Sequence, residues 1–239
     1  MKNVFVIFRW TLAIAFLVVL LIFTNERQAN QKMSLKEIII KESTDNFVNQ
    51  QIVLNYLKDQ LGSFDNILIT DFNKDKLESL LRLHPGVKDV EVFASQKGEI
   101  EILIEQKEAI VRVKSNAEDY YLDEFGKKMQ LFDHYTPKLL VATGNVTTKN
   151  HADLYVFIKE INKSDFWRAQ ITQIHFGEHD IVLIPRVGNQ KINIGGFEDI
   201  VEKLDNLYQF YKVAMPVNGW QTYSNINLKF NNQIVCVRK

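Results

Sequence analysis

The chain opens on an apolar run, Val4 to Phe23 (VFVIFRWTLAIAFLVVLLIF), in which Arg9 is the single charge. About twenty residues is the length a helix needs to cross the hydrocarbon core, so the run predicts a transmembrane helix over 4–23 behind a tail of residues 1–3. Arg9 lies near its start, where a long stem snorkels to the headgroups, and Trp10 suits the interfacial belt. A cleaved signal peptide is the rival reading. Thr24 to Gln28 (TNERQ) offers no small-x-small site behind the apolar core, which favours a retained anchor. Cations do not set the orientation, because Lys2 and Arg9 precede the core while Arg27, Lys32, Lys36 and Lys41 follow it.

Residues 24–34 are polar and aperiodic and predict a linker. Periodic structure follows at once. Leu35 to Lys41 carries the β-branched run Ile38-Ile39-Ile40, a strand signal. Asn49 to Leu61 places Ile52, Val53, Tyr56, Leu57 and Leu61 on one helical face, with Gly62 as a stop. A second helix capped by Asp71 or Asn73 aligns Leu77, Leu80, Leu81 and His84 before Pro85-Gly86. Val87 to Phe93 and Glu99 to Glu105 then alternate as a hairpin around Ser95 to Gly98. The order strand, helix, helix, strand, strand predicts a small α+β unit with helices on one sheet face.

The second half is richer in strands. Candidates are Ala109 to Val113, Tyr120 to Leu122, Leu139 to Ala142, Ile171 to Phe176, Asp180 to Pro185, Lys191 to Ile194, Ile226 to Phe230 and Gln233 to Val237. They predict one extended, mostly antiparallel sheet, flanked by helices Lys149 to Asn162 and Phe197 to Lys212. Asn231-Asn232 between the last two strands suits a tight turn.

Charge adds little: Lys plus Arg and Asp plus Glu are 29 each, so no net field marks a nucleic-acid binder. The one cysteine, Cys236, excludes an internal disulfide, a CxxC pair and zinc-finger spacing. His175 and His179 stand four apart, the spacing of two metal ligands on a helix, but Gly177 between them favours a hairpin turn. Gly195-Gly196 lacks the residues of a phosphate-binding loop and reads as a strand-to-helix corner. Asp123 and Glu124 are adjacent on a strand, point apart, and read as a solvated turn before Phe125-Gly126. With no GxSxG elbow and Cys236 inside Ile234 to Val237, a strand pattern, the sequence predicts no catalytic, metal or cofactor site.

The order of an N-terminal anchor, a βααββ unit and a strand-rich domain ending in a hairpin resembles the bacterial cell-division family FtsQ/DivIB. Residues 35–107 resemble its POTRA domain, through the run Leu83-His84-Pro85-Gly86-Val87-Lys88-Asp89-Val90-Glu91-Val92. Residues 108–239 are similar to its β domain. The matching pieces are Ile102 to Ala109, the Asp-x-x-Gly turn of Asp123 to Gly126, and the Thr143-Gly144 element.

The resemblance implies a non-enzymatic divisome scaffold in the inner membrane at the septum, with both domains extracytoplasmic. It implies FtsB-like and FtsL-like partners on the β domain, with FtsK, FtsW and FtsI-type proteins as further candidates. The physical form of such a contact is strand addition, in which unpaired N–H and C=O groups of a sheet edge take on a partner's strand. Gln233, Ile234, Val235, Cys236 and Val237 are then the docking edge, with Lys229 and Phe230 as anchors matching the family's basic and aromatic positions. A different class stays open: an envelope-assembly or transport component, or a ligand-binding module, using the same POTRA unit.

Overall fold

The computed structural model describes residues 2–29, 31–62, 67–230 and 233–239, and within the first helix the side chains of residues 8–23. The chain divides into two compact units, Met1–Gln106 and Lys107–Lys239.

The first unit begins with helix α1, Lys2–Ala29, which runs past the apolar stretch into the expected linker. Its side chains from Phe8 to Phe23 are exposed. Among the described residues no helix is long and apolar enough to cross a membrane. The expected span at 4–23 reaches over residues 4–7, whose side chains lie outside the described residues, and residues 8–23 alone fall short of the required length.

Strand β1 (Ser34–Ile40), helices α2 (Gln50–Leu61) and α3 (Lys74–Arg82), and strands β2 (Val87–Ala94) and β3 (Glu99–Gln106) follow in the predicted order. The caps explain the helix boundaries. Asn49 accepts from Ile52 N and Asn73 from Lys76 N, each taking up a free first-turn donor, and Gly62 closes α2 at φ 74°. Asn73, not Asp71, is the cap of α3; Asp71 sits in a short 3-10 turn, Ile69–Asp71. The sheet order is β1-β3-β2, with β1 parallel and β2 antiparallel to β3. Alternate residues Ile100, Ile102 and Ile104 of β3 are fully buried, which is the period of two made physical. Behind the sheet Gln106, only 6% exposed, accepts from Phe47 N (2.9 Å) and Val48 N (3.2 Å) and donates to Asp45 O (2.8 Å).

The second unit contains strands β4 (Ala109–Ser115), β5 (Asp119–Asp123), β6 (Lys128–Met129) and β7 (Val141–Gly144), then helices α4 (His151–Asn162) and α5 (Asp165–Gln170). Strands β8 (Ile171–Phe176), β9 (Ile181–Pro185) and β10 (Lys191–Gly195), helix α6 (Ile200–Asn218), and strands β11 (Tyr223–Asn227) and β12 (Val235–Arg238) complete it. One nine-stranded sheet runs in the order β12-β11-β10-β9-β8-β7-β4-β5-β6.

That sheet is mixed: five of its eight strand pairs are antiparallel, as expected for most of it, and three are not. The pairs β4–β7, β7–β8 and β10–β11 are parallel, because helices or long connections carry the chain back to the same end before each partner strand starts. Strand β11 lies three residues earlier than predicted, and the expected Asn231-Asn232 turn lies outside the described residues.

One sheet face carries the core. Leu154, Phe157, Ile158 and Ile161 of α4, Trp167 of α5, and Leu204, Leu207, Tyr211 and Met215 of α6 pack on Val111, Val113, Ala142, Ile174, Leu183, Ile192 and Ile226. Each such burial stabilises by about 1.5–3 kcal/mol, enough to fix which face the helices cover. The opposite positions, in the register row Thr143, His175, Val182, Asn193, Asn227 and Val235, are mostly polar or β-branched.

Candidate partner-binding edge

A sheet edge recruits a second chain only if its outward N–H and C=O groups are open, so each edge is decided by where those groups go. In β2 the middle ones are taken. Val92 N donates to Glu78 Oε1 (2.9 Å), Val90 N to Asp89 Oδ1 (2.9 Å), and Arg82 Nη2 to Val90 O (2.8 Å). Helix α3 thus lays an acidic and a basic side chain along β2 and blunts it. In β1 the Ile38 carbonyl is taken by Gln50 Nε2 (2.8 Å). At the far end of the large sheet, β6 is two residues long, too short to template a strand.

The Glu78 carboxyl is held below its ordinary value of 4.5, first by the hydrogen bond from Val92 N–H and then by Lys74 and Arg82, each 3.4 Å away. A depressed carboxylate contributes stability that is full above pH 4.5 and is lost as pH falls through its lower folded value. Urea unfolding across pH 3–7 is expected to show that acid loss in the native chain. Glu78→Ala is expected to be less stable at neutral pH, to show a flatter acid limb, and to self-associate through the uncovered β2 edge in sedimentation. An unchanged acid limb would refute the assignment.

Strand β12 is different. It pairs antiparallel with β11 through Arg238 with Tyr223, Val237 with Asn225, Cys236 with Ile226 and Val235 with Asn227. Lys239 N donates to Thr222 O (3.1 Å), and the Val237 carbonyl accepts from Ser224 Oγ (3.2 Å). Successive residues of a strand direct their backbone groups to opposite sides, so those two contacts turn Cys236 and Arg238 outward. Among the described residues nothing pairs with β12 on that side. Val235 and Val237 are exposed, the latter at 55%, on the face away from α6, while Cys236 packs partly against the core. Burial pushes the Cys236 thiol up, as suits a strand residue and not a nucleophile.

The remaining predicted residues separate. Gln233 and Ile234 precede the strand and line a small groove with Asp199, Glu202 and Asn206 of the α6 corner and with Phe230. Phe230 is 52% exposed. Lys229 is already engaged: its stem covers Gly195, where a Cβ would lie 2.9 Å from Lys229 Cγ, and its ammonium meets Asp180 at 3.0 Å. Hydrogen bonds from Asn193 and Lys229 hold the Asp180 carboxyl below the usual range. Arg238 and the α6 carboxylates were missed by sequence reasoning, since only pairing and register bring them to the edge.

The sites set aside in the sequence fall as follows. His175 lies on β8 with Nδ1 3.0 Å from Thr143 Oγ1, and His179 lies in the β8–β9 turn. Among the described residues no group of three His, Cys, Asp or Glu side chains is placed to hold a metal ion. Asp123 is a correction. It is 1% exposed, not solvated, because Oδ1 accepts from Phe125 N (3.0 Å) and Lys127 N (2.8 Å) and so builds the turn that Gly126 closes at φ 73°.

Two family models match the chain. The POTRA-like domain model covers residues 34–105, the βααββ unit. The model described as FtsQ/DivIB, C-terminal related, covers residues 108–237, from the start of β4 into β12. Among curated proteins the chain matches none. With more than half its length in the second match, and with the fold that both describe, the chain belongs to the FtsQ/DivIB C-terminal-related family.

Proposed function

We propose that the chain is a non-catalytic scaffold of the bacterial division machinery that captures a strand of an FtsB-like or FtsL-like partner on β12. The observation that carries this is the open outer side of β12, against the capped β2 and the truncated β6. Main-chain hydrogen bonds give such a contact its affinity, and side-chain recesses on either face give it selectivity. The docking strand of this reading is Val235 to Arg238, with Gln233, Ile234 and Phe230 acting from the adjoining groove and Lys229 holding the loop through Asp180.

The exposed apolar helix α1 supports a membrane tether for the chain. Family membership favours placing the working part on the extracytoplasmic side of the inner membrane. Other division proteins meet the POTRA-like unit in this reading.

The test uses the full chain in detergent, titrated with the extracytoplasmic segments of the FtsB-like and FtsL-like proteins of the same cell, beside imaging of a fluorescent fusion. Binding together with mid-cell fluorescence is expected. Uniform envelope fluorescence without binding would overturn the proposal and favour the envelope-assembly or ligand-binding alternative.

A further inference from the structure

The three-stranded sheet of the first unit has a face that its helices leave bare. Ile100, Ile102 and Ile104 of β3 are buried on the helix side, so the alternate residues Glu99, Glu101, Leu103 and Glu105 lie on the other. Register supplies their neighbours. Leu103 stands between Ile39 of β1 and Glu91 of β2, and Glu101 stands between Glu37 and Phe93. Phe93 is thus the diagonal neighbour of Leu103, within reach of an aromatic side chain. Ile39, Leu103 and Phe93 form an apolar diagonal from one edge of the sheet to the other, with Ile39 42% and Phe93 49% exposed.

Negative charge borders that diagonal. Glu101 is matched by Lys36 (2.6 Å), and Glu105 by Lys41 and Lys88. Among the described residues no lysine or arginine pairs with Glu37, Glu91 or Glu99, and each of these lies beside a different member of the diagonal. Lys36 stands among acids: its hydrogen bond to Glu101 and the charges of Glu101, Glu99 and Glu37 push its ammonium up. Phe93 already accepts a cation, with Lys74 Nζ 5.8 Å from its ring centroid. Midway along the edges, Ile38 O is taken by Gln50 and Val92 N by Glu78, so it is the face that the sheet leaves open.

We infer that this face receives a basic amphipathic helix of another protein: its apolar ridge lies on Ile39, Leu103 and Phe93, and lysines or arginines beside the ridge meet Glu37, Glu91 and Glu99. The inference rests on the reading that other proteins meet the POTRA-like unit, stands apart from β12, and adds the chemistry that selects the partner. Dimensions agree. Two strand spacings and an offset of two residues separate the ends of the diagonal by about 12 Å, and positions i and i+7 of a helix are about 10 Å apart along its axis. Charge then excludes other occupants. An acidic helix, an anionic lipid surface and the same face of a second copy would each set negative charge against three unmatched carboxylates.

The experiment is photo-crosslinking of the full chain in the cells that make it, with p-benzoylphenylalanine in place of Phe93 or, separately, of Leu83, which is 74% exposed at the end of α3. The peptide joined to each adduct is sequenced by mass spectrometry. From Phe93 the expected adduct is a segment with apolar residues at helical spacing and flanking lysines or arginines, in clear excess over Leu83. Adding E37Q/E91Q/E99Q is expected to cut its yield about five- to tenfold with an unchanged unfolding midpoint. An adduct from Phe93 to an acidic segment, to lipid or to a second copy, or a yield that the triple variant leaves unchanged, overturns the inference. An adduct from Leu83 alone overturns it while leaving the unit a docking domain, and no adduct from either position overturns both.

Discussion

Cys236→Pro is expected to weaken partner capture about thirtyfold or more while leaving the domain folded. Cys236 faces Ile226 in a pair that exchanges no backbone hydrogen bonds, because the neighbouring residues Val237 and Lys239 are the ones turned toward β11. Proline there removes an N–H that points away from the molecule's own sheet and sets its ring where a partner's backbone must come. One lost intermolecular hydrogen bond, its unpaired counterpart and the steric block together amount to about 2 kcal/mol or more, roughly thirtyfold in Kd.

Val237→Pro is the control, since its N–H is turned toward β11; it is expected to lose thermal stability as well as binding. Titration calorimetry beside thermal unfolding separates the two. Binding by Cys236→Pro within about threefold of the native value would show that the outer side of β12 is not the docking edge.

Gln106→Ala is expected to cost the POTRA-like unit about 2–4 kcal/mol, a sizeable fraction of a small domain's total stability. A single amide supplies two acceptor contacts and one donor contact to the segment Asp45 to Val48, in a place where Phe47 and Val48 are themselves buried. Removing it takes three hydrogen bonds out of a water-poor setting and leaves a cavity. Gln106→Glu keeps the acceptor for Phe47 N and Val48 N but sets a second oxygen against Asp45 O, so it is expected to fall between the two. Chemical unfolding followed in the full chain checks both. A loss below about 0.5 kcal/mol in the alanine variant would mean that water replaces the side chain at no cost.

Much of the first unit was legible because its punctuation is chemical. Asn49, Gly62, Asn73 and Pro85-Gly86 each have a local reason to start or stop a helix, and β3 alternates cleanly because only one of its faces is buried. The second unit was harder for equally physical reasons. Strand β11 reads Tyr-Ser-Asn-Ile-Asn, polar on the face that lacks helices, so the apolar Leu228 and Phe230 drew the expected strand too far along.

Helix α5 is six residues long and rests on the Ser164 cap and the burial of Trp167, neither of which makes a periodic signal. Helix α6 runs through Pro216, which has no N–H for the Lys212 carbonyl one turn back, and only Val217 and Asn218 follow before Gly219 ends it at φ 79°. Of the candidate site, Val235, Cys236 and Val237 were readable as a strand. The carboxylates of Asp199 and Glu202 were not, since more than thirty residues of chain separate them from β12 and nothing local announces the meeting.

The parallel pairing of β10 with β11 makes the chain cross the sheet through α6 between them, and β12 joins that sheet through β11 alone. A strand added beyond β12 would therefore be coupled, through β11, to the packing of Leu204, Leu207 and Met215 on the sheet. Loosening that packing far from the edge is expected to weaken any capture at the edge as well.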